Sequence, residues 1–350
     1  MITHRFMVTA RPSSRCSGSS LLHPPARQGQ RGRLGVPLVL VGSALALYGC
    51  GGSTLNGAGA SFPAPLYQRW FQELAGQGIR VNYQSVGSGA GVRQFVSGTV
   101  DFAASDVPMK AEDIAQVTRG VRQIPMTAGA IAVAYNHPGC KLSLSQKQLA
   151  GIFLGRVRNF SELGCSAQPI TVVHRSDGSG TTANFTAHLS AISPEWKSGP
   201  GESKSVTWPT GVGAKGNEGV AAQLSQVKGG IGYVEASYVR GELQAARLTN
   251  ASGGVLEPTP ANAERALASI DLGEELTGRD PNPAEGYPIV TFSWILLYQQ
   301  GNGDKLATLQ KVFSHTLSDT TQAEAASLGY VNLPAPVLAK ARAALQTIKR

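Results

Sequence analysis

Beyond the first fifty or so residues, apolar positions recur in short blocks that switch between a period of two and a period near 3.6. IRVNYQSV (79–86) alternates as a strand does, and GAGVRQFVSG (89–98) has helical spacing. Strand patterns return at VDFAAS (100–105), AIAVAYN (130–136), ITVVHR (170–175), GIGYVEA (230–236) and PIVTFSWILLYQ (288–299). Helical patterns stand between them at SQKQLAGIFLG (145–155), at TTANFTAHLSAI (181–192), which reads as amphipathic, and at NEGVAAQLSQV (217–227). Two more follow, at DKLATLQKVFSHTL (304–317) and near 334–347. This alternation predicts an α/β fold with largely parallel sheets. No internal repeat or heptad run interrupts it. The Pro/Gly-rich GRDPNPAEGYP (278–288) is the best linker candidate.

The leader has a different character. Residues 1–50 hold Arg5, Arg11, Arg15, Arg27, Arg31 and Arg33 and no acids, so six of the nine net positive charges lie there. From residue 51 onward 25 basic residues face 22 acidic ones. A chain so nearly neutral over its body does not fit a nucleic-acid partner. After Arg33 comes LGVPLVLVGSALALYGC, an apolar run of signal-sequence length and short for a bilayer span. Its end, Leu47-Tyr48-Gly49-Cys50, resembles a bacterial lipobox and makes Cys50 the expected lipid attachment, with 1–50 as a lipoprotein signal peptide. Tyr48 departs from the small residue usual there, and an ordinary secretory signal or an anchor is the other reading. Export leaves Cys140 and Cys165 as a candidate disulfide pair. No histidine or cysteine stands at metal-ligand spacing from them, so no metal is expected.

Three segments share one grammar: an extended stretch, then Gly/Ser/Thr, then a helix. They are GAGASFPAPLYQRWF (57–71), SVGSGAGVRQF (85–95) and RSDGSGTTANF (175–185). A helix start offers unpartnered N–H groups and the positive end of its dipole. Glycines admit an anion to that backbone, and hydroxyls add donors. One such segment is an ordinary capped helix; three together point toward a bound oxyanion. The rivals fit less well. GxxxxGK[ST] is absent, and the frame G-x-S-x-G fails around Ser179, where Asp177 precedes Gly178. GVGAKG (211–216) matches G-x-G-x-x-G, but it follows Pro209 and opens no clear βαβ unit, so the match reads as chance. His174 beside Arg175 reads as a packed or surface histidine rather than a base.

Taken in order, GAGASFPAPLYQRWF, VNYQSVGSGAGVRQF, VDFAASDVPM, VVHRSDGSGTT, VTWPTGVGAKGNEGVA and GGIGYVEASYV closely resemble the phosphate-binding proteins of bacterial phosphate ABC importers. The resemblance covers about residues 55–345. It implies an α/β periplasmic-binding-protein fold, two-lobed and hinged, with the ligand cleft between two α/β domains. Lobe I would comprise 53–127 plus 288–350 and lobe II 128–287, with crossings near Pro125–Gly129 and near Tyr287. It implies phosphate contacts from Ser61, Phe62, Ser88, Asp106, Arg175, Ser179, Gly180 and Thr181, with Asp177 supporting the arginine. Without it, Asp106 reads as a turn residue before Pro108, and Arg175 as half of a surface salt bridge. Ser61 stands where many members have threonine, and Gly89 replaces a second serine after Ser88.

The implied protein is a receptor and not an enzyme. It would need no cofactor, take inorganic phosphate as ligand, and work as a monomer in the periplasm or at the cell surface. Its partners would be inner-membrane permease subunits and their ATPase. A receptor for another oxyanion such as sulfate, and a secreted phosphate-ester hydrolase using Ser179, are the alternatives.

Overall fold

The computed structural model describes residues 54–350; the leader, with Cys16 and Cys50, lies outside the described residues. The first half carries β1 (Thr54–Gly59), α1 (Ala64–Ala75), β2 (Arg80–Ser85), α2 (Ser88–Val96), β3 (Phe102–Ser105), α3 (Ala111–Ala115) and β4 (Val121–Tyr135). The middle adds β5 (Ser143–Leu144), α4 (Gln146–Phe153), β6 (Thr171–Arg175), α5 (Gly180–Ile192), α6 (Pro194–Ser198), β7 (Val212–Ala214), α7 (Gly216–Gln226) and β8 (Gly230–Glu235). Then come β9 (Gln244–Ala245), β10 (Arg247–Thr249), β11 (Val255–Leu256), α8 (Pro260–Leu267) and β12 (Val290–Tyr298). Three helices close the chain: α9 (Leu306–Thr316), α10 (Asp319–Ala325) and α11 (Ala335–Gln346).

The main sheet runs β2-β1-β3-β12-β4-β8-β6-β7, with β9 on β4; β11-β10-β5 form a small second sheet. At one end β1 pairs in parallel with β2 and β3, and at the other β6 pairs in parallel with β7 and β8. The centre is antiparallel, β3 to β12 to β4 to β8. The expectation of a largely parallel sheet therefore holds at the ends and fails in the middle. Every residue of β12 is buried. A strand covered on both faces loses the alternation that marks a half-exposed one, and it reads as a continuous apolar run.

Two local departures have clear causes. The apolar pattern shows β4 only from residue 130, yet the strand begins at Val121, because Pro125 looks like a strand breaker. Pro125 is accommodated at an irregularity: its partner is Trp294, the next pair is Thr127 with Ser293, and Met126 is the extra residue of a bulge. Helix α5, read as amphipathic, has ten buried residues and no solvent face over its first ten positions. It is a wall between elements, not a surface helix. The 278–288 segment carries no helix or strand, but it is pinned: His188 Nδ1 lies 2.8 Å from the Pro281 carbonyl, and the Tyr287 N–H donates to the Asn262 carbonyl at 2.9 Å.

Cys140 and Cys165 are bonded, with Cα atoms 5.4 Å apart and a sequence separation of 25. The loop they close contains α4 and the turn Phe160–Leu163, so the bond ties that segment to the end of β4. Closing a loop of this length removes unfolded-state entropy worth about 3 kcal/mol. Replacing both cysteines by serine is expected to lower the unfolding free energy in urea by about that amount. A change below about 0.5 kcal/mol would contradict the assignment of a stabilising role.

Candidate anion site at three helix starts

The segments with the shared grammar meet at one point. Ser61 and Phe62 leave β1 and lead into α1, Ser88 opens α2, and Ser179 to Thr181 open α5. Asp106 follows β3 and Arg175 ends β6. All of Ser61, Phe62, Ser88, Asp106, Arg175, Ser179, Gly180 and Thr181 are buried. The strands bring them together from two sides: β1 and β3 run opposite to β6, and the C-terminal ends of β3 and β6 face each other across the middle of the long strand β4.

Glycines allow the approach. The Gly89 N–H at the start of α2 donates to the Gly178 carbonyl at 2.8 Å, just before α5. The Gly180 N–H donates to Ser88 Oγ at 3.2 Å. A Cβ on Gly180 would stand 2.5 Å from Ser88 Oγ and 2.8 Å from the Asp106 Cβ, so no side chain fits there. Gly87, with φ +85°, takes a left-handed turn before α2 and leaves its inner side free for the Asp177 carboxylate.

Arg175 and Asp177 form a two-pronged pair. Nε donates to Oδ1 at 2.7 Å and Nη2 to Oδ2 at 2.6 Å. The remaining Nη1 reaches Thr181 Oγ1 at 3.5 Å. Burial opposes the charge on each, but the pairing outweighs it: the guanidinium is held above its ordinary range and the Asp177 carboxyl below its own. The Gly216 N–H gives Asp177 Oδ1 a further bond at 3.1 Å. Asp177 thus holds the guanidinium of Arg175 in a fixed fork.

Asp106 has a different setting. Ser293 Oγ donates to its Oδ1 at 2.9 Å, and Ser88 Oγ lies 3.5 Å from its Oδ2. Its carbonyl accepts from Asn184 Nδ2 at 2.7 Å and Thr291 Oγ1 at 2.9 Å. Burial pushes the carboxyl up to about 7, with Ser293 and Arg175 working against the rise. Ser179 Oγ caps α5 by accepting from the Thr182 N–H at 3.0 Å, which leaves its own hydrogen to donate.

Several residues of the site are invisible to the helix-start reasoning. Asn217, at the second position of α7, donates through its N–H and Nδ2 to Ser61 Oγ at 3.0 and 2.9 Å, and through Nδ2 to Thr181 Oγ1 at 3.2 Å. Tyr238 Oη donates to the Ser61 carbonyl at 2.6 Å. Ser293 comes from β12, beside the Pro125 bulge. Two signals could have found them. Thr291 and Ser293 in VTFSWILLY are hydroxyl groups in a largely apolar strand, and GVGAKGN is a fourth strand–glycine–helix passage. GVGAKG is therefore no dinucleotide loop: it is edge strand β7 running into the start of α7. His174 is a packed ring, half-buried and stacked on Trp208 with centroids 4.8 Å apart.

A groove of about 730 Å³ adjoins the site, bordered by Gly89, Val107 and Ala183, chain neighbours of site residues, and by Lys204.

The profile of the PBP superfamily domain matches residues 46–320. The phosphate-binding protein PstS of Pasteurella multocida is 38% identical over 314 residues, covering 84% of this chain and 90% of its own. The chain belongs to the PstS family of phosphate-binding proteins. PstS of Methanocaldococcus jannaschii is 32% identical over 325 residues, with 80% of this chain and 82% of the relative covered. A solved structure of a human phosphate-binding apolipoprotein superposes with a TM-score of 0.71 at 24% identity, covering 83% of this chain and 93% of that one. The likeness extends to the fold: a two-lobed, hinged α/β binding protein of the PBP superfamily.

A second buried carboxyl borders the site. Glu235 ends β8; both its oxygens accept from the Ser237 N–H at 3.0 Å, and Ser237 Oγ bonds it as well. Burial pushes it up to about 8. Asp106 and Glu235 both keep their protons in the fold to higher pH than in the unfolded chain. The folded state therefore binds more protons between about pH 4 and 8, and stability contributed by these groups falls as pH rises through that window. Glu235→Gln, which keeps the shape without the charge, is expected to gain thermal stability relative to the parent between pH 5 and pH 8. A difference in midpoint that stays constant over this range would contradict the assignment.

Proposed function

We propose that the protein is a receptor for inorganic phosphate in an ABC-type import system, holding the anion at the helix starts described above. The observation that carries this reading is Asp106, a buried carboxyl set among hydroxyl, amide and guanidinium donors. Phosphate near neutral pH has oxygens that accept and at least one proton to give. The Phe62 N–H, the hydroxyls of Ser61, Ser88, Ser179 and Thr181, and Arg175 would serve the first, with the Gly180 N–H holding Ser88 Oγ; ionised Asp106 would serve the second. With Asp177 offsetting Arg175, the charge of ionised Asp106 is the one left beside the ligand's own. Relatives named as phosphate-binding proteins support the same ligand.

The reading takes 53–127 with 288–350 as one lobe and 128–287 as the other. The bonds from Gly89 to Gly178, from Gly180 to Ser88 and from Asn217 to Ser61 then run between lobes, and closure would bury the anion. A permease and its ATPase would receive the ligand on reopening. The protein would sit in the periplasm or at the cell surface, anchored by lipid on Cys50, and act as a monomer. Binding rather than turnover is favoured, since the Ser179 hydroxyl that a phosphate-ester hydrolase would use bonds the Thr182 N–H and, among the described residues, no basic side chain that could take its proton.

Sulfate is the informative competitor, because it has oxygens of the same arrangement and no proton at neutral pH. Placed against ionised Asp106, it would set lone pairs against a buried anion, at about 2–3 kcal/mol or more. Calorimetry at pH 8 is expected to give phosphate binding at least about 100-fold tighter than sulfate. The ratio should shrink toward pH 5.5, where Asp106 holds its own proton and can donate. Asp106→Asn should narrow the gap at pH 8 by about tenfold or more. Equal binding of the two anions by the parent protein at pH 8 would refute the role given to Asp106.

A further inference from the structure

A hydroxyl group has one hydrogen to give and two lone pairs to receive. In a site for an anion, the useful state is the one in which the hydrogen is free and the lone pairs are engaged elsewhere. Ser61 Oγ receives two N–H donors, both from Asn217, at 3.0 and 2.9 Å. Thr181 Oγ1 receives Asn217 Nδ2 at 3.2 Å and Arg175 Nη1 at 3.5 Å. Ser88 Oγ receives the N–H groups of Asp106 and Gly180 at 3.3 and 3.2 Å. Each of these hydroxyls is thus supplied with two donors.

Asn217 does this for two of them at once. The direction of its amide is fixed from behind. The Glu235 N–H, which can only donate, points at Oδ1 from 2.9 Å, so the amino group must face Ser61 and Thr181. Asn217 is fully buried, and the start of α7 holds it in place. A neighbouring backbone group therefore determines the polarity of two hydroxyls from different helix starts.

We propose that Asn217 is a positioning residue that makes the hydroxyls of Ser61 and Thr181 obligate donors toward the bound anion. The proposal rests on the phosphate-receptor reading and deepens it. Asn217 acts through the two hydroxyls, and its removal lets them turn their lone pairs toward the ligand. An acceptor at this position has the opposite effect of the amide and draws both hydrogens away.

The test is a mutant cycle read by phosphate calorimetry at pH 8, in the full mature protein freed of ligand. Asn217→Leu, which keeps the branching of the side chain but neither donor nor acceptor, is expected to weaken phosphate binding by about tenfold or more. In a Ser61→Ala/Thr181→Val background, where the hydroxyls are gone, the same change should cost less than about threefold. Asn217→Asp keeps the acceptor for the Glu235 N–H and is run in the same cycle, so a failure of the leucine variant to fold leaves the test intact. It too should lose much more affinity in the parent than in the background. Equal losses in both backgrounds, or no loss in the parent, would overturn the inference while phosphate binding stands. A parent protein that binds no phosphate would overturn the functional reading itself.

Discussion

A carboxyl group without a cation in contact is costly to bury, and Asp106 is such a group. Its surroundings are organised to hold it. The main-chain carbonyl is gripped by Asn184 from α5 and Thr291 from β12, and the carboxylate by Ser293 from β12. Its N–H reaches Ser88 at the start of α2. One residue therefore fastens a strand end, a central strand and two helix starts. Arg175, by contrast, is neutralised on the spot by Asp177, which leaves the site with a cation fixed in direction and an acceptor whose charge depends on pH. This difference between the two acids is set by environment alone.

The architecture explains why these groups converge. The two parallel ends of the sheet run in opposite directions, so β1 and β3 from one side and β6 from the other deliver their C-terminal ends toward the middle of β4, and each passes into a Gly/Ser/Thr turn or an acid. The antiparallel centre, β12 against β4, spans the distance between those ends. The bulge at Met126 belongs to this design, because it lies beside Ser293, the donor to Asp106. Irregular backbone here serves the site as well as the sheet.

Much of this was legible in the residues. The three helix starts, Arg175 with Asp177, and most strands and helices follow from local spacing and turn chemistry. What local reasoning could not reach depends on residues far apart in sequence. Asp106 reads as a turn residue until Ser88, Ser293 and Asn184 are placed around it; only the family resemblance marked it in advance. Asn217 was hidden in a passage whose glycines matched the wrong motif. The antiparallel centre escaped because β12 is buried on both faces and carries no alternation, and because Pro125 disguises the first half of β4. These features are set by tertiary contacts, which a window along the chain does not contain.

The central claim is that the site reads a proton on its ligand through Asp106. Monofluorophosphate offers the most direct check, since it keeps the tetrahedral shape and dianionic charge of phosphate but has fluorine in place of the hydroxyl. Titrated by calorimetry at pH 8, it is expected to bind at least about 100-fold more weakly than phosphate, because fluorine gives Asp106 nothing to accept. Affinities for the two anions within about threefold of each other would contradict the account.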